Sequence, residues 1–195
     1  MKKFIIFLIS FFLIVGCESQ VLPTKKDEKI VTDGITFKTE YENLNSVMKD
    51  DFSIEKENPF KYLTKKNIEE VFKTTNIVFI GNASDINSRV IVTILNDIAK
   101  EKEIESIYYL DSLSNFAKYE INVNGQIKSQ EESELYKLVL SEIKGLEELY
   151  SPSIIFIKEG NISDYYIIDS DIEDNAIDSH IINTKIIELI EKLDA

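Results

Sequence analysis

The chain of 195 residues has no tryptophan, one cysteine (Cys17), one histidine (His180) and three prolines. A single cysteine excludes an intrachain disulfide and a paired-thiol redox centre. A lone histidine without a second histidine or a nearby cysteine does not make a metal site, and a role as general base would need a partner that the sequence does not offer. A phosphate-binding glycine loop is missing, and so is a Gly-x-Ser-x-Gly element around any serine. Cations are also scarce: 22 Lys and Arg stand against 35 Asp and Glu, a formal charge of -13. Nucleic-acid binding is thereby excluded, because its affinity comes mainly from neutralising phosphates.

What is present begins at the N-terminus. Met1-Lys2-Lys3 precedes an apolar run from Phe4 to Val15. That run is too short to span a bilayer as a stable helix and reads as a secretory signal. It ends in Ile14-Val15-Gly16-Cys17, which resembles the bacterial lipoprotein box. The resemblance implies diacylglyceryl attachment to the Cys17 thiol and cleavage before it. The expected anchor is therefore lipid on Cys17, holding the protein at the outer face of the cytoplasmic membrane. Loss of Lys2 and Lys3 with the signal takes the charge from -13 to -15. An acidic domain is repelled by anionic lipid, so the two acyl chains must do the anchoring.

The expected organisation is a signal over residues 1–16, a flexible tether over 17–33 and one domain over 34–195. The tether is mainly polar and contains Pro23 and Lys25-Lys26-Asp27-Glu28-Lys29. Such a composition cannot offset the entropy of ordering. The domain has the length to bury a core. Its first part, 35–63, reads as irregular with extended stretches near Ile35–Thr39. Thr64 is a candidate N-cap for a helix over 65–74. Ile77–Ile80 reads as a buried strand ending at Gly81, followed by a helix with Val90, Ile91, Ile94, Leu95 and Ile98 on one face. Ile107–Asp111 is a second strand. Asn124-Gly125 predicts a hairpin turn. A helix is expected over 132–149, weakened at its end by Gly145. Strands over 153–157 and 165–168 and a helix over 183–193 complete the chain. The fold class is α/β, a central mixed sheet flanked by helices.

This order, together with several short motifs, resembles the thioredoxin fold, and most closely the thioredoxin-like lipoproteins of low-GC Gram-positive bacteria. Asn58-Pro59-Phe60 matches their Asn-Pro-Phe segment, and Tyr108-Tyr109-Leu110-Asp111 their Tyr-Tyr-x-Asp strand. Ser151-Pro152-Ser153 matches the proline element that opens their edge hairpin, and Arg89 the arginine that follows their second cysteine. The resemblance covers roughly residues 40–193. It implies a thioredoxin-like fold, a cis bond at Ser151-Pro152, and a backbone edge there that can pair with an extended peptide.

The chain departs from that pattern at its centre. The two cysteine positions fall on Asp85 and Ser88, with Ile86 and Asn87 between them. Disulfide exchange needs a thiolate and a resolving thiol, so this turn cannot perform it. Asp85 is expected to cap the helix that follows. The alternative is a small polar site made by Asp85, Ser88 and Arg89. The acidic run Asp169, Asp171, Glu173, Asp174 and Asp178 begins like a calcium loop, but lacks its glycine, and His180 stands where the bidentate acid belongs. It reads as a solvated segment, and His180 as a surface or cap residue. Two Asn-x-Ser triplets, at Asn82 and Asn161, are discounted beside a bacterial lipobox. No cofactor is expected. The leading expectation is a redox-inactive lipoprotein that holds a peptide or protein partner non-covalently. An enzyme using the Asp85–Arg89 turn, or a structural accessory of an exported-peptide or envelope system, are the alternatives.

Overall fold

The computed structural model describes residues 32–116, 118–121, 127–168 and 178–194. Cys17, the Asn124-Gly125 turn and the acidic residues 169–174 lie outside them. The chain runs α1 (Asp33–Glu42), α2 (Asn45–Met48), β1 (Phe60–Tyr62), α3 (Ile68–Val71), β2 (Asn76–Gly81), α4 (Ile86–Glu101), β3 (Ile107–Asp111), α5 (Ser112–Asn115), β4 (Lys118–Ile121), β5 (Ile127–Glu131), α6 (Glu134–Glu142), β6 (Ser153–Lys158), β7 (Asn161–Ile167) and α7 (Ser179–Asp194).

Five strands form one mixed sheet in the order β1-β3-β2-β6-β7, while β4 and β5 pair separately as an antiparallel hairpin. β1 and β2 both run parallel to β3; β6 is antiparallel to β2, and β7 to β6. Helices cover both faces, which is why β2 is apolar at consecutive positions. Ile77 and Phe79 join a core with residues of α1, α4 and α7. Val78 and Ile80 join a second core with residues of α3 and α6.

Residues 33–42 are helical, not extended. The Thr32 hydroxyl accepts the Ile35 amide, and Asp33 sits at the positive end of the helix. Phe37 and Tyr41, one turn apart, are fully buried. Phe37 stacks on Phe60 with ring centroids 4.2 Å apart and meets Tyr109 edge-on at 4.8 Å. Burying a phenylalanine stabilises by roughly 1.5–3 kcal/mol, more than the few tenths that β-branched residues such as Ile35 and Thr36 cost a helix. The cap and first residue of α1, Thr32 and Asp33, thus lie inside the segment expected to be tether.

Three other helices differ in extent from the sequence reading. α3 starts only at Ile68, because the Asn67 side chain accepts the Thr64 amide at 2.7 Å and donates to the Tyr62 carbonyl at 2.9 Å, holding 64–67 as a turn. α6 stops at Glu142, where Ile143 turns extended, with Gly145 at φ 87° beyond it. α7 begins at Ser179 because the Asp178 carboxylate accepts the His180 and Ile181 amides. β7 also starts earlier than expected, at Asn161.

Candidate functional site

The parallel strands β2 and β3 end together, with Gly81 opposite Asp111, and Ile80 lies opposite Ser153 at the start of β6. Three connections therefore meet at one end of the sheet: the turn Asn82–Asp85, the β3–α5 junction and the segment before β6.

Asp85 is the N-cap of α4. Its carboxylate accepts the Asn87 amide at 3.3 Å, the Ser88 amide at 2.8 Å and the Ser88 hydroxyl at 2.6 Å. Ser88 is fully buried, and its Oγ also accepts the Asn82 amide at 3.2 Å. Glycine is required just before this turn. A Cβ on Gly81 would stand 2.3 Å from the Phe79 ring and 2.8 Å from Ser88 Oγ.

Ser112 joins the three connections. Its hydroxyl oxygen accepts from Asn82 Nδ2 at 3.0 Å and from the Ser151 hydroxyl at 2.9 Å. The Ser151-Pro152 peptide is cis. Pro152 is buried and its carbonyl accepts the Ile168 amide at 3.1 Å. Ser153, also buried, donates to the Tyr150 carbonyl at 2.6 Å. The Tyr165 hydroxyl accepts the Tyr150 amide at 2.8 Å. Among the described residues, the amide and carbonyl of Ser151 have no backbone partner. Around this end Ile86, Leu113 and Tyr150 are 50%, 71% and 42% exposed.

Arg89 does not join Asp85 and Ser88 in a polar site. Its guanidinium is 2% exposed and turned the other way, into the body of the protein. Nε donates to Asp50 Oδ2 at 2.5 Å, and one terminal nitrogen to the carbonyls of Tyr41 at 2.8 Å and Ala83 at 3.0 Å. The other donates to Asp50 Oδ1 at 2.7 Å and to the Asn45 side-chain oxygen. All five N–H groups are engaged, and the Phe52 ring lies 4.8 Å from the guanidinium carbon. The arginine beside it holds the Asp50 carboxyl below its usual range. Arg89 thus ties α4 to the chain between α1 and β1.

Under the same end lies a group that sequence reading missed. Glu40 of α1 accepts from the Tyr109 hydroxyl at 3.1 Å and from the Tyr62 hydroxyl. Burial raises the Glu40 pKa, and Asp111 raises it further against the opposing pull of the two tyrosines. The Tyr41 hydroxyl is buried without a hydrogen-bond partner among the described residues. Asn58 opens β1, ahead of α3, by donating to the Gly34 and Glu55 carbonyls. His180 is exposed on the first turn of α7. Among the described residues no cluster of His, Cys, Asp and Glu could hold a metal ion, and no helix is long and apolar enough to cross a membrane.

Comparison with models of known protein families and with curated proteins returns no match for this chain.

Proposed function

We propose that the protein is a redox-inactive, thioredoxin-like lipoprotein that binds an extended peptide or protein segment beside Pro152. The strand order β1-β3-β2-β6-β7, with β6 alone antiparallel to the rest, supports the thioredoxin-like reading. The observation that carries the binding reading is the Ser151 backbone, which has no backbone partner among the described residues. It lies beside the first turn of α4, tied there through Ser112 and Asn82, with exposed Ile86, Leu113 and Tyr150 around it. A backbone edge with apolar neighbours suits strand-like addition of a peptide. The same contacts weigh against chemistry at the turn: the Ser88 hydroxyl is buried and donates to Asp85, and Asp85 is occupied as a cap.

A photo-crosslinking residue at Leu113 tests the binding reading against one at Leu138, which is also exposed but lies on α6. Adducts with envelope polypeptides are expected from position 113 and not from 138; equal yields would refute the groove. The purified protein is expected to show no insulin reduction above a protein-free control. For the anchor, Cys17→Ser is expected to abolish labelling by a fatty-acid probe, and unchanged labelling would end the lipoprotein reading.

A further inference from the structure

Resting on that peptide-binding reading, we infer that the groove beside Pro152 selects segments that are both apolar and positively charged. Two observations support this independently of each other. The apolar one is the rim itself. Leu113, Ile86 and Tyr150 are among the most exposed large hydrophobic side chains of the described residues. They stand next to Ser112, four residues after Asn82, and next to Ser151, three positions that share hydrogen bonds.

The second observation is charge. Asp85 and Asp111 stand at the ends of the turn and of β3, each holding a helix start: Asp85 for α4, and Asp111 for α5 through the Leu113 and Ser114 amides. Glu147 and Glu148 are exposed just before Tyr150. Arg89, the cation nearest in sequence to the turn, faces inward with every N–H engaged. Among the described residues, Lys49 and Lys144 are exposed cations of the adjoining segments. Asp85, Asp111, Glu147 and Glu148 thus place four carboxylates around the described part of the rim, on a chain whose formal charge is already -13. An acidic peptide meets repulsion there, and a neutral apolar one gains only the rim contacts. A segment mixing leucine-like and lysine-like residues gains both, and its approach is steered by the field of the whole protein.

The test uses the full lipidated chain in phosphatidylcholine vesicles, which carry no net charge of their own. Three fluorescent peptides of about a dozen residues are compared by anisotropy, alternating leucine with lysine, glutamine or glutamate, against protein-free vesicles. At low salt the lysine peptide is expected to bind about tenfold more tightly than the glutamine peptide, the glutamate peptide least, and the lysine advantage is expected to shrink toward parity at molar salt. Joint Glu147→Gln and Glu148→Gln substitution is expected to cut the lysine advantage about threefold and leave the glutamine peptide unaffected. Leu113→Ser, at an exposed site that does not disturb the core, is expected to weaken both about fivefold. Equal affinity for the lysine and glutamine peptides would overturn the charge selectivity while leaving the groove reading intact. Lysine-peptide binding indifferent to Leu113→Ser would also overturn the inference, reducing it to attraction by an acidic surface. Binding of none of the three would sink the groove reading itself.

Discussion

Replacing Arg89 should cost more stability than replacing any residue of the turn it adjoins. Arg89→Ala removes a guanidinium that is 2% exposed and supplies five hydrogen bonds, two of them to Asp50. Removing one partner of a buried ion pair typically costs about 3–5 kcal/mol. The Asp50 side chain retains 24% exposure, so water can recover part of its solvation. The stranded Tyr41 and Ala83 carbonyls and the cavity beside Phe52 work in the other direction. A loss of about 4 kcal/mol is expected, a large share of the ~5–15 kcal/mol that holds a domain together. At this chain length each kcal/mol moves the midpoint by about 2–4 °C, so Arg89→Ala should melt about 8–16 °C lower in a circular-dichroism or calorimetric scan. Arg89→Lys keeps the charge but has one nitrogen where the guanidinium has three, and cannot reach Asp50, Asn45 and both carbonyls together. It should recover less than half of the loss. An Arg89→Ala protein melting within about 2 °C of the parent, or an Arg89→Lys protein equal to it, would refute the role given to this network.

The other predictions concern the turn and the half-buried acid. Asp85→Ala should cost about 0.5–2 kcal/mol in urea unfolding and Asp85→Asn only a few tenths, since asparagine caps about as well; equal losses would show that the charge, not the cap, matters. Gly81→Ala should destabilise by about 1–3 kcal/mol, because its Cβ meets the buried Phe79 ring; a neutral result would mean that ring can move. Glu40 has a raised pKa, so its favourable contribution is complete below about 4.5 and is lost as pH rises through the folded value. Glu40→Gln should therefore gain stability over the parent as pH rises from about 4.5 through the folded value and then level off, read as urea midpoints against pH; a constant difference would contradict this account of the half-buried acid.

The elements that the sequence announces are those whose apolar pattern is complete within the element. β2, β3 and β6 read as continuous runs because both faces of the sheet are covered, and α4 reads from its stripe of isoleucines and valines. Asp85 as a cap was visible for the same local reason, a carboxylate just ahead of an apolar helix. α1 was hidden because only Phe37 and Tyr41 mark its buried face, and its β-branched start favours strand locally; the aromatic ring of Phe60 that decides the matter is 23 positions further along than Phe37. Arg89 was legible as a motif position but not in its role. Its partner Asp50 lies 39 residues earlier in a segment without pattern, so the sequence could suggest a polar site with Asp85 where the fold builds an internal tie. Ser112 gives no signal at all until β3 is laid beside β2.

The two margins of the sheet are unlike. At β1 the Tyr62 amide donates to Asp33 of α1, and α1 lies along that strand with Phe37 stacked on Phe60. A passing strand finds this margin already shut. Among the described residues β7 pairs with β6 alone, and a strand with one partner presents a row of outward amides and carbonyls. Among the described residues, accidental sheet extension between copies thus starts at β7 and not at β1. Phe37 and Tyr41 of α1 are fully buried, so only loss of the whole helix from the sheet would open the second margin, turning a protein that can be added to on one side into a link that can be joined on both.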